Sequence, residues 1–223
     1  MDFYVCIPTI RKYNIALEVL LSSLPAQWKN KYIVIYQNEE VEEKTYKTFE
    51  DGHIEVYIKN NIYEYGTWIG VNLLLEMKIV PDNCWFLFIH DTCKFLGEES
   101  ATLTHKIIEE HKDSDIDILW LSSNGQCNIC LIRKKAIEYG NNIYKDLIVL
   151  SKMEAIRAEW SNHSLSPKFF PVNQKFIPVP ANHVGRRLVY NNTNNRDVLI
   201  FTPINMEKYY FFTLKDSDHP QAP

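Results

Sequence analysis

Glycine is scarce in this chain, at seven of 223 residues. Neither G-x-G-x-x-G nor G-x-x-x-x-G-K-[ST] occurs, which removes the glycine-built cradles of nicotinamide-dinucleotide and P-loop sites. Any phosphate must then be held by a metal or by basic side chains. Positive charge is also short: the formal net charge is −4, so no whole-chain field exists to grip a nucleic-acid backbone. No run approaches the roughly 20 apolar residues that a membrane-spanning helix requires. The opening MDFYVCIPTI carries an acid at position 2 and no basic stretch ahead of its apolar run, unlike a secretory signal. Disulfide-scaffold spacing is missing too, because the five cysteines fall mostly within apolar, strand-like runs. Cys127-Asn128-Ile129-Cys130 is a lone C-x-x-C with no second pair, so it reads as buried thiols and not as a zinc ribbon. These absences predict a soluble, cytoplasmic protein with no membrane span and no nucleic-acid partner.

What is present is apolar material: 46% of residues are hydrophobic and 13% aromatic, enough for one substantial core. Strand-like runs occur at residues 3–7, where Pro8 is expected to stop the strand, at 32–36, at 53–61 and at 84–91. Helical spacing begins at Asn14, the expected N-cap, and recurs at 68–80, where Pro81 is expected to end the helix. The charged segment 39–52 also reads as helix. Farther on, a helix is expected near 98–112, strands at 117–123 and 127–132, a helix opening at Arg133, and helical patterns near 143–160. From about Pro167 the chain is rich in Pro and Asn and is expected to wind over the surface. The alternation of strands and helices predicts an α/β fold: a mostly parallel, Rossmann-like sheet with helices on both faces.

In such a sheet, ligands collect outside the carboxyl ends of the strands. The segments at those ends are PTIRKYN, QNE, NNIYEYGT and HDT, all polar. Asp91 stands out, since the apolar strand CWFLFI delivers it rigidly to where the sheet opens. A hard carboxylate there suits Mg²⁺ or Mn²⁺, which bind through one or two carboxylates plus substrate phosphates. A plain alternative is that Asp91 and Thr92 cap the following turn.

The segments VCIPTIRKY, YIVIYQN, VYIKNNIYEYGTWIGVN, FLFIHDTCKF and SSNGQCNICLIRKKAIEYG, in this order and spacing, resemble the nucleotide-sugar glycosyltransferases of the GT-A fold, particularly the inverting family 2. The resemblance covers about residues 3–160. It implies a single domain over 1–223, with a nucleotide-binding half to about residue 97 and an acceptor-side half and C-terminal loop region from about 98. It implies a nucleoside-diphosphate sugar donor, a glycan or glycoconjugate hydroxyl acceptor, and Mn²⁺ or Mg²⁺ held by Asp91 and His183. Pro8, Thr9, Arg11 and Asn38 would line the nucleoside pocket. Gly66 and Asn72 would pass near the nucleotide and donor sugar, and Arg186 and Arg187 would clamp the diphosphate. Glu154, with Glu159 as the second choice, would be the general base.

This sequence departs from the family pattern in three places. HDT replaces the Asp-x-Asp motif, Gln37 and Asn38 replace the acid after the second strand, and no Glu-Asp pair marks the base. Two rivals follow: a nucleotidyltransferase on a similar sheet, and a non-catalytic carbohydrate- or protein-binding module that kept the fold.

Overall fold

The computed structural model describes residues 2–121, 129–147, 154, 171–177, 186–191 and 196–209. Its centre is β1 (Phe3–Ile10), flanked in parallel by β2 (Tyr32–Gln37) and β5 (Trp85–Phe88). Both faces of these strands are apolar, as expected of buried parallel strands. Phe3, Val5, Ile7, Trp85 and Leu87 pack into one core cluster, while Cys6, Phe86 and Phe88 pack into the other. Outward from β2 lie β4 (Ile54–Ile58), in parallel, and then β3 (Thr45–Thr48), antiparallel. On the other side, β8 (Cys130–Ile132) pairs antiparallel with β5, and β7 (Ile118–Trp120) antiparallel with β8. Beyond β7, β9 (Gln174–Phe176) runs parallel to it. The order is β3-β4-β2-β1-β5-β8-β7-β9. The α/β sheet is thus parallel around β1, as expected, and mixed toward its margins.

Helices cover both faces. Residues of α1 (Asn14–Ser22) and α3 (Glu99–His111) pack on the β1 Phe3–Val5–Ile7 side, and those of α2 (Gly66–Glu76) and α4 (Lys134–Tyr144) on the other. The α2–α4 contact is tight. A Cβ at Gly140 would stand 2.3 Å from the Trp68 ring, so only glycine lets the indole lie against α4.

Several sequence expectations are corrected. Segment 39–52 is not a helix: its Thr45-Tyr46-Lys47-Thr48 stretch forms the edge strand β3, where β-branched and aromatic residues fit the pleat and a lysine guards the edge. Pro8 does not stop β1, which runs on to Ile10. Asn14 already has helical φ/ψ, and Tyr13 holds the cap position. Helix α2 ends at Glu76, well before Pro81. Its last carbonyls are taken by Ile79 N–H to Leu74 O and Lys78 N–H to Leu75 O, with Lys78 left-handed at φ 56°. That is a Schellman closure with lysine where glycine is usual.

The largest correction is C-terminal. Instead of winding over the surface, the chain forms β10 (Arg186–Asn191), β11 (Arg196–Phe201) and β12 (Met206–Tyr209). These join β6 (Cys93–Phe95) in a second, antiparallel sheet of order β10-β11-β12-β6. Phe201, Ile204 and Met206 are buried in the α1–α3 side of the core, and Ser100 Oγ donates to Asn205 O at 2.8 Å. Cys6, Cys84, Cys93 and Cys130 are free and buried, and Cys127 lies outside the described residues. Among the described residues no helix is long and apolar enough to cross a membrane.

Candidate functional site

The strands β1, β2 and β4 build the sheet to one side, and β5 falls on the other side of β1. The topology therefore reverses between β1 and β5, the place where open α/β sheets form a crevice. The register shows the crevice opening. The β1–β5 ladder ends at Cys6 opposite Phe88, with Ile89 N–H reaching Cys6 O, whereas β1 stays paired with β2 as far as Ile10 opposite Gln37. Pro8 fits this parting. Val5 N–H bonds toward β2, at Lys31 O, and the Cys6 carbonyl faces β5. Backbone groups alternate sides, so the N–H that Pro8 lacks would face the side where β5 has already left.

Asp91 and Thr9 meet across the opening. Thr9 is buried and its Oγ1 donates to Asp91 Oδ2 at 2.9 Å. Asp91 keeps partial solvent contact, and the backbone of Thr92 and Asp91 also hydrogen-bonds its carboxylate. Burial pushes its pKa up to about 6, against the opposing pull of the Thr9 hydroxyl and the Lys208 charge. Asp91 thus accepts hydrogen bonds within its own turn and keeps some solvent contact at the crevice.

Two tyrosines continue the rim. Burial and the Asp91 charge raise the Tyr13 pKa, and burial with Tyr13, Glu64 and Glu154 nearby raises that of Tyr63. Asp91, Tyr13, Tyr63 and Glu154 therefore form a sequence of electrostatic neighbours along one edge. Tyr63 has a left-handed backbone at φ 56°, an outlying conformation for an aromatic residue. Glu154 is exposed and helical.

Lys208 was not foreseen. It sits on β12 opposite Cys93 of β6, two residues past Asp91, and is only 9% exposed. A lysine buried to that degree is uncommon without a partner. In the sequence its only signal was the alternation in MEKY, within a region read as surface loop.

Most of the remaining expected residues fall within the described part of the chain. Arg11 is 53% exposed at its side chain, pairs with Glu39 at 3.0 Å and lies 4.0 Å over the Tyr36 ring. Asn38 is exposed in a left-handed turn at φ 62°. Gln37, which with Asn38 replaces the family's acid after the second strand, is buried. Its Oε1 accepts from Ile62 N–H at 2.8 Å and its Nε2 donates to Tyr63 O at 2.7 Å. Gly66 gives close approach to this same amide, because a Cβ there would stand 2.6 Å from it. Asn72 is buried and donates to Glu76 one helical turn on, at 2.7 Å. Arg186 and Arg187 lie on the backbone of β10 opposite Phe201 and Ile200. His183 and Glu159 lie outside the described residues.

For a divalent ion, the described residues at the crevice offer the Asp91 carboxylate and the hydroxyls of Thr9 and Thr92. No group of three or more His, Cys, Asp or Glu among the described residues stands close enough to hold a metal. One carboxylate completed by substrate phosphates is the minimum arrangement for such an ion.

No protein-family model matches the chain, and no curated protein matches its sequence. Among solved structures, it is similar to a glycosyltransferase involved in the glycosylation of the major capsid of PBCV-1. That likeness has 10% identity over 79% of this chain and 82% of the other, with TM-score 0.48. The chain is also similar to a cytidylyltransferase from Leptospira borgpetersenii serovar Hardjo-bovis, at 10% identity over 82% of this chain and 78% of the other, with TM-score 0.50. At this identity the second likeness speaks to the fold alone, and it agrees with the mostly parallel α/β sheet described above.

Proposed function

We propose that this chain is a glycosyltransferase that moves a sugar from a nucleoside diphosphate to a hydroxyl of a glycan or glycoconjugate. The observation that carries the reading is the Thr9–Asp91 contact at the β1–β5 switch point, where the sheet places a partly desolvated carboxylate in the crevice. On this reading the acceptor oxygen attacks the anomeric carbon with inversion and the bond from that carbon to the diphosphate oxygen breaks. Glu154, at the Tyr63 end of the rim, takes the hydroxyl proton. The departing diphosphate carries the bonding electrons and needs positive charge beside Asp91. A Mn²⁺ or Mg²⁺ ion held by the Asp91 carboxylate would be one source of that charge.

The second reading, nucleotidyl transfer, is favoured by the likeness to the cytidylyltransferase over most of this chain. It would normally want a glycine-bearing loop after β1, and residues 8–14 contain none. Products separate the two, since sugar transfer releases a nucleoside diphosphate and nucleotidyl transfer releases pyrophosphate.

The direct test is a thermal-shift screen of UDP, GDP, CDP, TDP and their common sugars, with and without Mn²⁺, on wild type and Asp91→Ala. A ligand that binds only the native state raises apparent stability by mass action. A shift for one nucleotide that Asp91→Ala loses supports the site. No shift for any of them moves the reading to a binding module that kept the fold without turnover.

A further inference from the structure

We infer that Lys208 is a resident cation of the crevice, held beside Asp91 so that its ammonium receives the charge of the leaving diphosphate. The inference rests on the transferase reading above and names what, within the protein, meets the phosphates.

Three observations converge. The β12–β6 register sets Lys208 across from Cys93, next to the Asp91-Thr92 turn that closes the crevice. Lys208 is 9% exposed, and its charge acts on Asp91. The carboxylate grouping of a metal cage is not found among the described residues, and with no glycine cradle the phosphates must be met by a metal or a basic side chain. A buried ammonium and carboxylate are costly to desolvate, and an apolar pair of similar volume often does as well for stability. Opposite charges set near each other at the mouth of a crevice, with no direct ion pair between them, mark a candidate functional site. The donor set thus differs from the Asp-x-Asp arrangement. One acid steers one lysine, and the lysine provides the positive charge without recruiting an ion. The second sheet gains a purpose, because its strand β12 carries this side chain to the switch point of the first.

The test is calorimetric titration of the full chain with UDP, GDP, CDP and TDP and with the parent nucleosides, in EDTA and in Mn²⁺. The expected result is that the best-bound diphosphate still binds in EDTA. Lys208→Met should weaken it roughly tenfold or more while leaving its nucleoside unchanged, and Lys208→Arg should recover part of the loss. A merely structural lysine would affect nucleoside and diphosphate alike. Should Lys208→Met fold poorly with Asp91 left unpaired, Asp91→Asn/Lys208→Met removes both charges, and it should bind the nucleoside normally and the diphosphate weakly. Binding that EDTA abolishes, together with wild-type affinity of Lys208→Met in Mn²⁺, would overturn the lysine's role while leaving the transferase reading intact. Failure of every diphosphate to bind in either medium would overturn both.

Discussion

Two strand ends flank β1, and their polar groups have opposite fates. At the end of β2, Gln37 is 2% exposed and its amide is saturated from within: it receives the Ile62 N–H, donates to the Tyr63 carbonyl and lies against Gly66. At the end of β5, Asp91 keeps solvent contact and is pushed up to about 6 despite the Thr9 hydroxyl and Lys208. A neutral amide can be buried at little cost once its bonds are made, whereas a carboxylate pays a desolvation penalty that partners only partly offset. Position at a strand's carboxyl end therefore does not make a ligand contact. What decides is whether the group has bonding capacity left over for something outside the fold.

The hardest test of that contrast is Gln37→Leu. It would leave a backbone N–H and a carbonyl without their partner in the 62–63 turn, so it should cost about 2–4 kcal/mol of stability. Chemical denaturation measures this. A loss below about 1 kcal/mol would show that the loop finds other partners and that Gln37 is not the clamp described.

At the other strand end, the prediction concerns pH. The Asp91 carboxyl has a folded pKa of about 6 against an ordinary 3.8. Between these values the native state therefore holds a proton that the unfolded state has released. Its contribution to stability is complete below about 4 and is lost as pH rises through about 6, at no more than one proton, or about 1.4 kcal/mol per pH unit. The groups facing it are Thr9 on β1, Tyr13 before α1, Thr92 in its own turn and Lys208 on β12. Denaturation midpoints across pH 4–7, for wild type and Asp91→Asn, isolate this segment of the curve. An unchanged slope in the variant would assign the titration elsewhere.

The same contrast explains what was legible in the sequence. β1, β2 and β5 could be read because strands buried on both faces are largely apolar, β4 because Ile54, Val56 and Ile58 alternate with Glu55 and Tyr57, and the strand-end positions of Thr9 and Asp91 follow from such runs. The role of Gln37 could not, since its partners come from the turn at Ile62 and Tyr63, and no local pattern announces a tertiary hydrogen bond. Lys208 was hidden for a related reason: its meaning depends on the pairing of β12 with β6, strands far apart in the chain. The Pro- and Asn-rich composition from Pro167 onward masked the alternation in RRLVYN and RDVLIF. Segment 39–52 misled through its run of acids, which reads as a solvated helix until the β-prone Thr45-Tyr46-Lys47-Thr48 is weighed against it.

The smallest predicted effect lies between the two strand ends, at Tyr63, whose carbonyl belongs to the Gln37 clamp and whose phenol belongs to the rim. Holding a tyrosine at φ 56° costs roughly 1–2 kcal/mol in backbone strain. The Gln37 bond and the Asn61 side chain, which accepts from Tyr63 N–H at 3.1 Å, keep it there. Tyr63→Ala loses the half-buried ring and retains the strain, whereas Tyr63→Gly loses the ring and releases the strain, partly offset by the greater unfolded-state entropy of glycine. The glycine variant should therefore be the more stable of the two by somewhat under about 1 kcal/mol, while both lose the same fraction of donor or acceptor binding. Equal stabilities in parallel denaturation curves would mean that the backbone relaxes when the ring is removed. In that case the ring itself, and not the Gln37 clamp, sets the conformation at the mouth, and the division between a β2 end saturated from within and a β5 end left open to solvent would have to be redrawn.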